Sequence, residues 1–267
     1  MNDSQVGRPF IEASQPKLHE DGTWAIEASP QWAQGRTLFG GLIAANVCFA
    51  METLVQPDQV LRSISTNFAA PLSDGEAALR VELDRAGSAT SFTSATVEQD
   101  GALRSRAQAV FARSRASTIS VHPTPPQLDT AFDAAETLPY VEGLLPAFLQ
   151  RFDIRWGIGD YPFSGSQKAT LGGYIRHQRP VPGARGILGL LDAWPPAILP
   201  MAAGPAAAST VSWTAHIVSD IPAPSNEWFE FHYDTIAAKD GYATFVGTLS
   251  QNGDVIAWTE QLAAVFA

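Results

Sequence analysis

Apolar and polar positions alternate along much of the chain, in runs that turn residues separate. Four such runs follow one another between residues 63 and 115: SISTNFAAPL, EAALRVELDRAG, SATSFTSATVEQDG and ALRSRAQAVFARSR. The last two are separated by Asp100-Gly101, a dipeptide typical of a tight hairpin turn. A period of two places alternate side chains on opposite faces of a strand, so this region is predicted to form an antiparallel sheet.

One segment has a different period. In FGGLIAANVCFAMETL, residues 39–54, the apolar residues recur at the three- and four-residue spacing of a helix, and Gly40 and Gly41 stand at its start. The helix is apolar around most of its circumference, which is typical of a helix that other structure surrounds.

The second half of the chain repeats this order. GARGILGLLDAWPPAI takes the place of the helix, and the strand-like runs STVSWTAHIVSDIP, NEWFEFHYDTIAAK, GYATFVGTLSQNG and DVIAWTEQLAAVFA follow it. The similarity is closest between VEQDGALRSRAQAVFAR and LSQNGDVIAWTEQLAAVFA. We therefore predict two copies of one unit, at residues 1–117 and 163–267. Residues 118–162, rich in proline and acidic residues, are predicted to connect them, with one short helix in TAFDAAETL.

Composition narrows the class of protein. The 267 residues carry a net charge of −10, which argues against a general nucleic-acid binder. Cys48 is the only cysteine, so a disulfide framework and a thiolate zinc site are excluded. The polar N-terminus lacks the apolar core of a signal peptide, and no apolar run is as long as a membrane span. These features predict a cytoplasmic protein with no membrane partner and no metal site.

Asp192 stands out from its surroundings. It is a charged residue among leucines, an alanine and a tryptophan, just before Pro195 and Pro196. Burying an ionised carboxylate is costly unless it is paired, hydrogen-bonded or functional. From the residues alone, Asp192 is either a catalytic carboxylate or a capping or solvated group at a helix end.

Matches in two helices and two strands show a resemblance to the type II acyl-CoA thioesterase family, whose fold is a double hotdog. FGGLIAAN resembles the start of the family's first central helix, although the family often has histidine where this chain has Phe39. LGLLDAWPPAIL resembles the second central helix, and ASTVSWTAHI and AWTEQLAAVF resemble two later strands. The resemblance implies an α+β fold of two tandem hotdog repeats, each an antiparallel sheet wrapped around a helix. It also implies a catalytic set of Asp192, Thr210 and Gln261.

Two of these residues have neighbours that compete for the same role. Thr214 lies four residues after Thr210 and is expected on the same face of the strand. Glu260 precedes Gln261, and a slip of one residue would exchange the side chain that faces the site.

A role for the glycines follows from the position of the first helix. Backbone N–H groups near Gly40 and Gly41 are candidate donors to the oxyanion, since a helix N-terminus favours negative charge. Alternatively, the two glycines only form a tight turn before a packed helix.

The implied function is hydrolysis of acyl-CoA to a carboxylic acid and coenzyme A, a reaction of fatty acid metabolism, without metal or cofactor. One alternative is a hotdog enoyl-CoA hydratase, whose site resembles an aspartate followed five residues later by histidine. Here Ala197 follows Asp192 at that spacing. Another alternative is a non-catalytic double hotdog that binds an acyl ligand.

The residues that contact the phosphates of coenzyme A and the oligomeric state are left open. Arginines that lie near the end of the first repeat and before the second helix are candidates for the phosphates of coenzyme A, and none is singled out: Arg104, Arg106, Arg113, Arg115, Arg176, Arg179 and Arg185. Association of copies into a homo-oligomer through sheet faces is compatible with the fold.

Overall fold

The computed structural model describes residues 8–224 and 226–266. Its helices are α1 (Phe10–Ala13), α2 (Gly40–Glu52) and α3 (Gly183–Leu191), with short 3-10 turns at Pro30–Trp32, Phe132–Ala134, Ala147–Arg151 and Leu199–Met201. The strands of the first half are β1 (Lys17–Leu18), β2 (Trp24–Ala28), β3 (Ala33–Gln34), β4 (Thr37–Leu38), β5 (Val60–Phe68), β6 (Gly75–Ala86), β7 (Thr90–Gln99) and β8 (Ala102–Ala112). Those that follow are β9 (Glu136–Thr137), β10 (Phe152–Ile158), β11 (Thr170–His177), β12 (Ala207–Ile217), β13 (Phe229–Lys239), β14 (Tyr242–Gln251) and β15 (Asp254–Phe266).

Thirteen of these strands form one antiparallel sheet. Their order is β1-β2-β6-β7-β8-β5-β12-β15-β14-β13-β11-β10-β9, and β3 and β4 form a separate small ribbon. The two halves join where β5 pairs with β12, from Ser63 opposite His216 to Asn67 opposite Ser212. The two repeats predicted from the sequence therefore share a continuous sheet.

Each half of the sheet encloses one helix. Helix α2 packs against β5, β6, β7 and β8, α3 packs against β11, β12, β14 and β15, and the two helices pack against each other. Ten of the 13 residues of α2 are buried, as the apolar pattern around its circumference predicts. Each large apolar side chain buried in this way stabilises the fold by about 1.5–3 kcal/mol.

The segment between the repeats differs from the prediction. The short helix expected in residues 130–138 is a 3-10 turn at Phe132–Ala134, followed at once by β9. Strand β10 also lies within residues 118–162 and pairs with β9 and β11. The helix expectation was wrong because pairing along the sheet outweighs the weak local helix preference of this stretch.

Within the part of the chain that the structure describes, no helix is both long enough and apolar enough to cross a membrane.

Candidate active site

Asp192 lies where the two central helices meet. Helix α3 ends at Leu191, and Asp192 is its C-cap residue, so the carboxylate follows the last turn instead of standing within the helix. Its Oδ2 lies 2.7 Å from where a Cβ would stand on Gly40, the first residue of α2. The carboxylate of the second repeat therefore faces the helix start of the first repeat, and the site needs both halves of the chain.

A chain of hydrogen bonds holds the carboxylate from the sheet. The Nε2 amide of Gln261 donates to Oδ1 of Asp192 at 2.9 Å. The hydroxyl of Thr210 donates to Oε1 of Gln261 at 3.0 Å. Because the amide oxygen accepts from Thr210, the amide NH₂ is directed at the carboxylate. The structure thus brings together the three residues that the resemblance implied.

A bulge in β12 decides between the two threonines. Thr210 pairs with Ala263 and Ser212 with Leu262, so Val211 is an extra residue that has no partner opposite it. The expectation that Thr214 shares a face with Thr210 was wrong, because an extra residue reverses the alternation beyond it. The hydroxyl of Thr214 instead forms a hydrogen bond with Ser65 at 2.9 Å.

The second ambiguity concerns neighbouring residues of β15. Gln261 is buried, with 5% of its surface exposed, whereas Glu260 is exposed to solvent. The register of β15 places Gln261 opposite Phe245 of β14, a fully buried residue. The amide therefore belongs to the inner face of the sheet and the carboxylate of Glu260 to the outer face.

The two glycines make the close approach between the repeats geometrically feasible. A Cβ on Gly41 would lie 2.6 Å from the ring of Phe39 and 3.1 Å from the Cβ of Asp192, so a side chain at either glycine would displace its neighbours. Phe39 precedes the helix, is fully buried and stacks on Phe148 with ring centroids 4.1 Å apart.

The backbone N–H of Gly41 is close enough to the Asp192 carboxylate to stabilise its charged form. The oxyanion role expected for this amide stays a prediction, and the same N–H also has the carboxylate within its reach.

Burial changes the acidity of Asp192. Desolvation raises the pKa of the carboxyl from 3.8 to about 7, although the Gln261 amide and the Gly41 N–H partly oppose the rise. A carboxylate with this pKa is half protonated near neutral pH and accepts protons better than an ordinary aspartate. This is the property that a general base requires.

Tyr233 of β13 is a further polar residue near the carboxylate, and sequence reasoning missed it. The residue is 2% exposed, and its hydroxyl has no hydrogen-bond partner among the described residues. Its pKa is raised well above the usual value, first by burial and then by the charge of Asp192. Its ring contacts Phe231 and Phe245 at centroid distances of 5.3 Å and 5.5 Å.

The matching positions of the first repeat are apolar. Leu61 precedes the bulge of β5 as Thr210 precedes that of β12. Val81 pairs with Ala95 in β6 and β7, as Tyr233 pairs with Gly247 in β13 and β14. By the same register, Ala109 of β8 matches Gln261 of β15. This contrast between repeats is the sequence signal that would have pointed to Tyr233.

The arginines considered for coenzyme A already have protein partners in several cases. Arg113 forms an ion pair with Asp58 at 2.9 Å, and Arg176 forms one with Asp153 at 2.8 Å. Arg185 is buried in α3, with 8% of its surface exposed.

The described residues contain no group of histidine, cysteine, aspartate and glutamate side chains that could hold a metal ion.

Comparison with known proteins identifies the family and the fold of the chain. A family model described as the acyl-CoA thioesterase N-terminal domain matches residues 28–112, and the model of the C-terminal domain matches residues 122–265. No curated protein matches the chain.

Solved structures resemble the whole chain. A conserved protein of unknown function with a hot dog fold from Alicyclobacillus acidocaldarius is 22% identical with a TM-score of 0.84, over 97% of this chain and 98% of that one. A tesB protein of Mycobacterium avium subsp. paratuberculosis is 16% identical with a TM-score of 0.78, over 97% of this chain and 98% of that one. The acyl-CoA thioesterase II TesB2 of Mycobacterium marinum is 16% identical with a TM-score of 0.73, again over 97% and 98%. The predicted double hotdog fold is confirmed.

Proposed function

Because the chain belongs to the acyl-CoA thioesterase family, we propose that it hydrolyses acyl-CoA to a carboxylic acid and free coenzyme A, with Asp192 as the general base. One observation carries the proposal: a carboxylate of raised pKa is held by an amide and lies against a helix N-terminus. Several parts of thioester hydrolysis can be assigned to this arrangement.

In the proposed reaction, Asp192 accepts a hydrogen bond from a water molecule and takes its proton as the water oxygen attacks the thioester carbon. A new C–O bond forms, and the carbonyl becomes an oxyanion. When the oxyanion collapses, the C–S bond breaks and the proton passes from Asp192 to the leaving thiolate. The products are the acid and the thiol, and the carboxylate is regenerated.

Gln261 and Thr210 position the base. The amide donates to Oδ1 of Asp192, so it holds the carboxylate without adding charge. The hydroxyl of Thr210 keeps the amide from turning over. A glutamate in place of Gln261 would instead put a second acid beside the first, and the two would compete for one proton.

The N-terminus of α2 is the proposed site of the oxyanion. The N–H groups of Leu42 and Ile43 donate hydrogen bonds to the carbonyl oxygen of Phe39. Gly41 N–H interacts with the carboxylate, so Gly40 N–H and the positive end of the helix dipole remain for the developing charge. The absence of a side chain at Gly40 lets the acyl carbonyl approach the backbone.

The experiment is thiol release from a series of acyl-CoA thioesters of increasing chain length. We expect the wild type to turn over part of the series and Asp192→Asn to be slower by about a hundredfold to ten-thousandfold. Asp220→Asn, at an exposed carboxylate, is the matched control and should retain activity. If no thioester is hydrolysed but acyl-CoA binds to wild type, the protein is an acyl-ligand binder.

A further inference from the structure

We propose that Tyr233 is a water-positioning residue of this site, whose hydroxyl donates a hydrogen bond to the same water molecule that Asp192 activates. The proposal rests on the proposed hydrolysis. It goes beyond the Asp192, Gln261 and Thr210 set by adding a fourth polar group.

The first argument is that the hydroxyl is not needed for packing. Tyr233 lies between Phe231 and Phe245, and both neighbours are fully buried phenylalanines. The matching residue of the first repeat is Val81, so this position of the fold accepts an apolar side chain. A phenylalanine would fill the same space without the cost of burying a polar group that has no protein partner.

The second argument is that the second repeat makes room here for an aromatic ring, which the first repeat lacks. Gly247 lies opposite Tyr233 on β14, where the first repeat has Ala95. A Cβ at Gly247 would lie 2.8 Å from Thr259, 2.9 Å from the Phe231 ring and 3.0 Å from the Tyr233 ring. The glycine therefore makes room for both aromatic rings, although a glycine in the middle of a strand weakens the strand.

The third argument concerns what the hydroxyl faces. The charge of Asp192 acts on the Tyr233 hydroxyl, yet no hydrogen bond joins the two groups. Trp194, two residues beyond Asp192, stacks on Phe231, which in turn contacts Tyr233. The Tyr233 ring also contacts Phe245, which lies opposite Gln261, the residue that donates to Asp192. A buried donor on the same inner face as the carboxylate, but without a direct bond to it, is suited to contact it through one water molecule.

The proposed water would then have defined partners. One of its O–H groups donates to Asp192, and one of its lone pairs accepts from the Tyr233 hydroxyl. Its second lone pair is directed at the thioester carbon. Two fixed partners limit the water's rotation, so the attacking lone pair is oriented before the reaction begins.

The test is Tyr233→Phe, which removes the hydroxyl and keeps the ring. We expect kcat to fall about tenfold to a hundredfold with KM little changed, because the lost bond orients the water and does not bind acyl-CoA. The pH at which activity reaches half its maximum should rise by about half a pH unit, since the water that donates to the charged carboxylate loses the donor that polarises it.

The matched control is Tyr174→Phe. Its hydroxyl donates to the carbonyl of Thr130 at 3.0 Å, away from the proposed site, so activity and pH profile should stay unchanged. Unchanged kcat and pH profile in Tyr233→Phe would overturn the proposal, as would equal losses in both variants.

If Tyr233→Phe does not fold, 4-aminophenylalanine at position 233 keeps ring and donor and should retain kcat within about threefold. A larger loss in that variant, folded, would also overturn the proposal.

A second readout separates this proposal from the proposed function. The titration of the Asp192 carboxyl can be followed by infrared difference spectra against Asp192→Asn, without any substrate. If the wild type hydrolyses no thioester, the proposed function fails, and an unchanged titration in Tyr233→Phe then shows that the contact with Asp192 fails as well. If the titration moves, the water contact stands independently of turnover.

Discussion

Replacing Asp192 with asparagine should stabilise the protein at neutral and alkaline pH while it removes activity. The folded carboxyl has a pKa of about 7, raised from 3.8 chiefly by burial. Between these two values the folded state holds a proton that the unfolded state has released. Protonation therefore favours folding, and stability falls as pH rises through this window.

The magnitude follows from the size of the rise in pKa. Each unit of rise in the pKa corresponds to about 1.36 kcal/mol, so the fully ionised carboxyl lowers the free energy of unfolding by about 4 kcal/mol. Asparagine avoids this cost but keeps only one acceptor oxygen for the Gln261 amide and the Gly41 N–H. A donor left without an acceptor costs about 1–3 kcal/mol, so the expected net gain above pH 8 is about 1–3 kcal/mol.

The assay is denaturant unfolding of wild type and Asp192→Asn at a series of pH values from 4 to 9. Other titrating groups are common to both proteins, so they cancel in the difference between the two free energies of unfolding. That difference should increase in favour of the variant as pH rises to about 8 and then level off. A constant difference, or one that grows toward acid pH, would refute the claim that Asp192 is a desolvated carboxylate of raised pKa.

Three further changes test the site and its support. Gly40→Ala would place a Cβ 2.7 Å from the carboxylate and should lower kcat/KM about a hundredfold, whereas Gly204→Ala, with nothing within 4 Å, should retain it. Thr210→Val should lower kcat about tenfold by freeing the amide, whereas Thr214→Val, on the other face, should leave kcat unchanged. Burial lowers the pKa of His177 to about 4, so the unfolded state alone binds a proton between pH 6.5 and 4, and stability falls in that window as pH falls. The free energy of unfolding of His177→Gln should fall less over this range than that of the wild type, by at most about 3 kcal/mol. An equal fall in both proteins would contradict the role of this imidazole.

The repeats and their helices could be predicted from the sequence because their signals are local and strong. Helix α2 is apolar around its circumference, and the hairpin turn Asp100-Gly101 has a counterpart in Asn252-Gly253. Asp192 could be singled out because one charged residue in an apolar run is expensive to bury. These properties depend on residues that are close together in the chain.

Strand β10 was missed although its first five residues, FDIRW, alternate between apolar and polar, because the run is short and lies in a stretch rich in proline and acidic residues. The alternation ends at Gly157, where the register with β11 shifts, and β9 pairs with only two residues of the strand. The strand exists because β11 supplies hydrogen bonds along most of its length. Pairing of this kind is decided by partners that lie far away in the sequence.

Local patterns were enough to predict the two-copy layout, the apolar central helices and the isolation of Asp192, since each depends on the spacing of apolar residues or on the cost of burying one charge among them. Which side chains share a face depends on how distant strands pair in the folded chain. The extra residue Val211 reverses the alternation of β12, so Thr210 meets Gln261 and Thr214 does not. The raised pKa of Asp192 is likewise a tertiary property, because desolvation depends on the whole protein that surrounds the carboxylate.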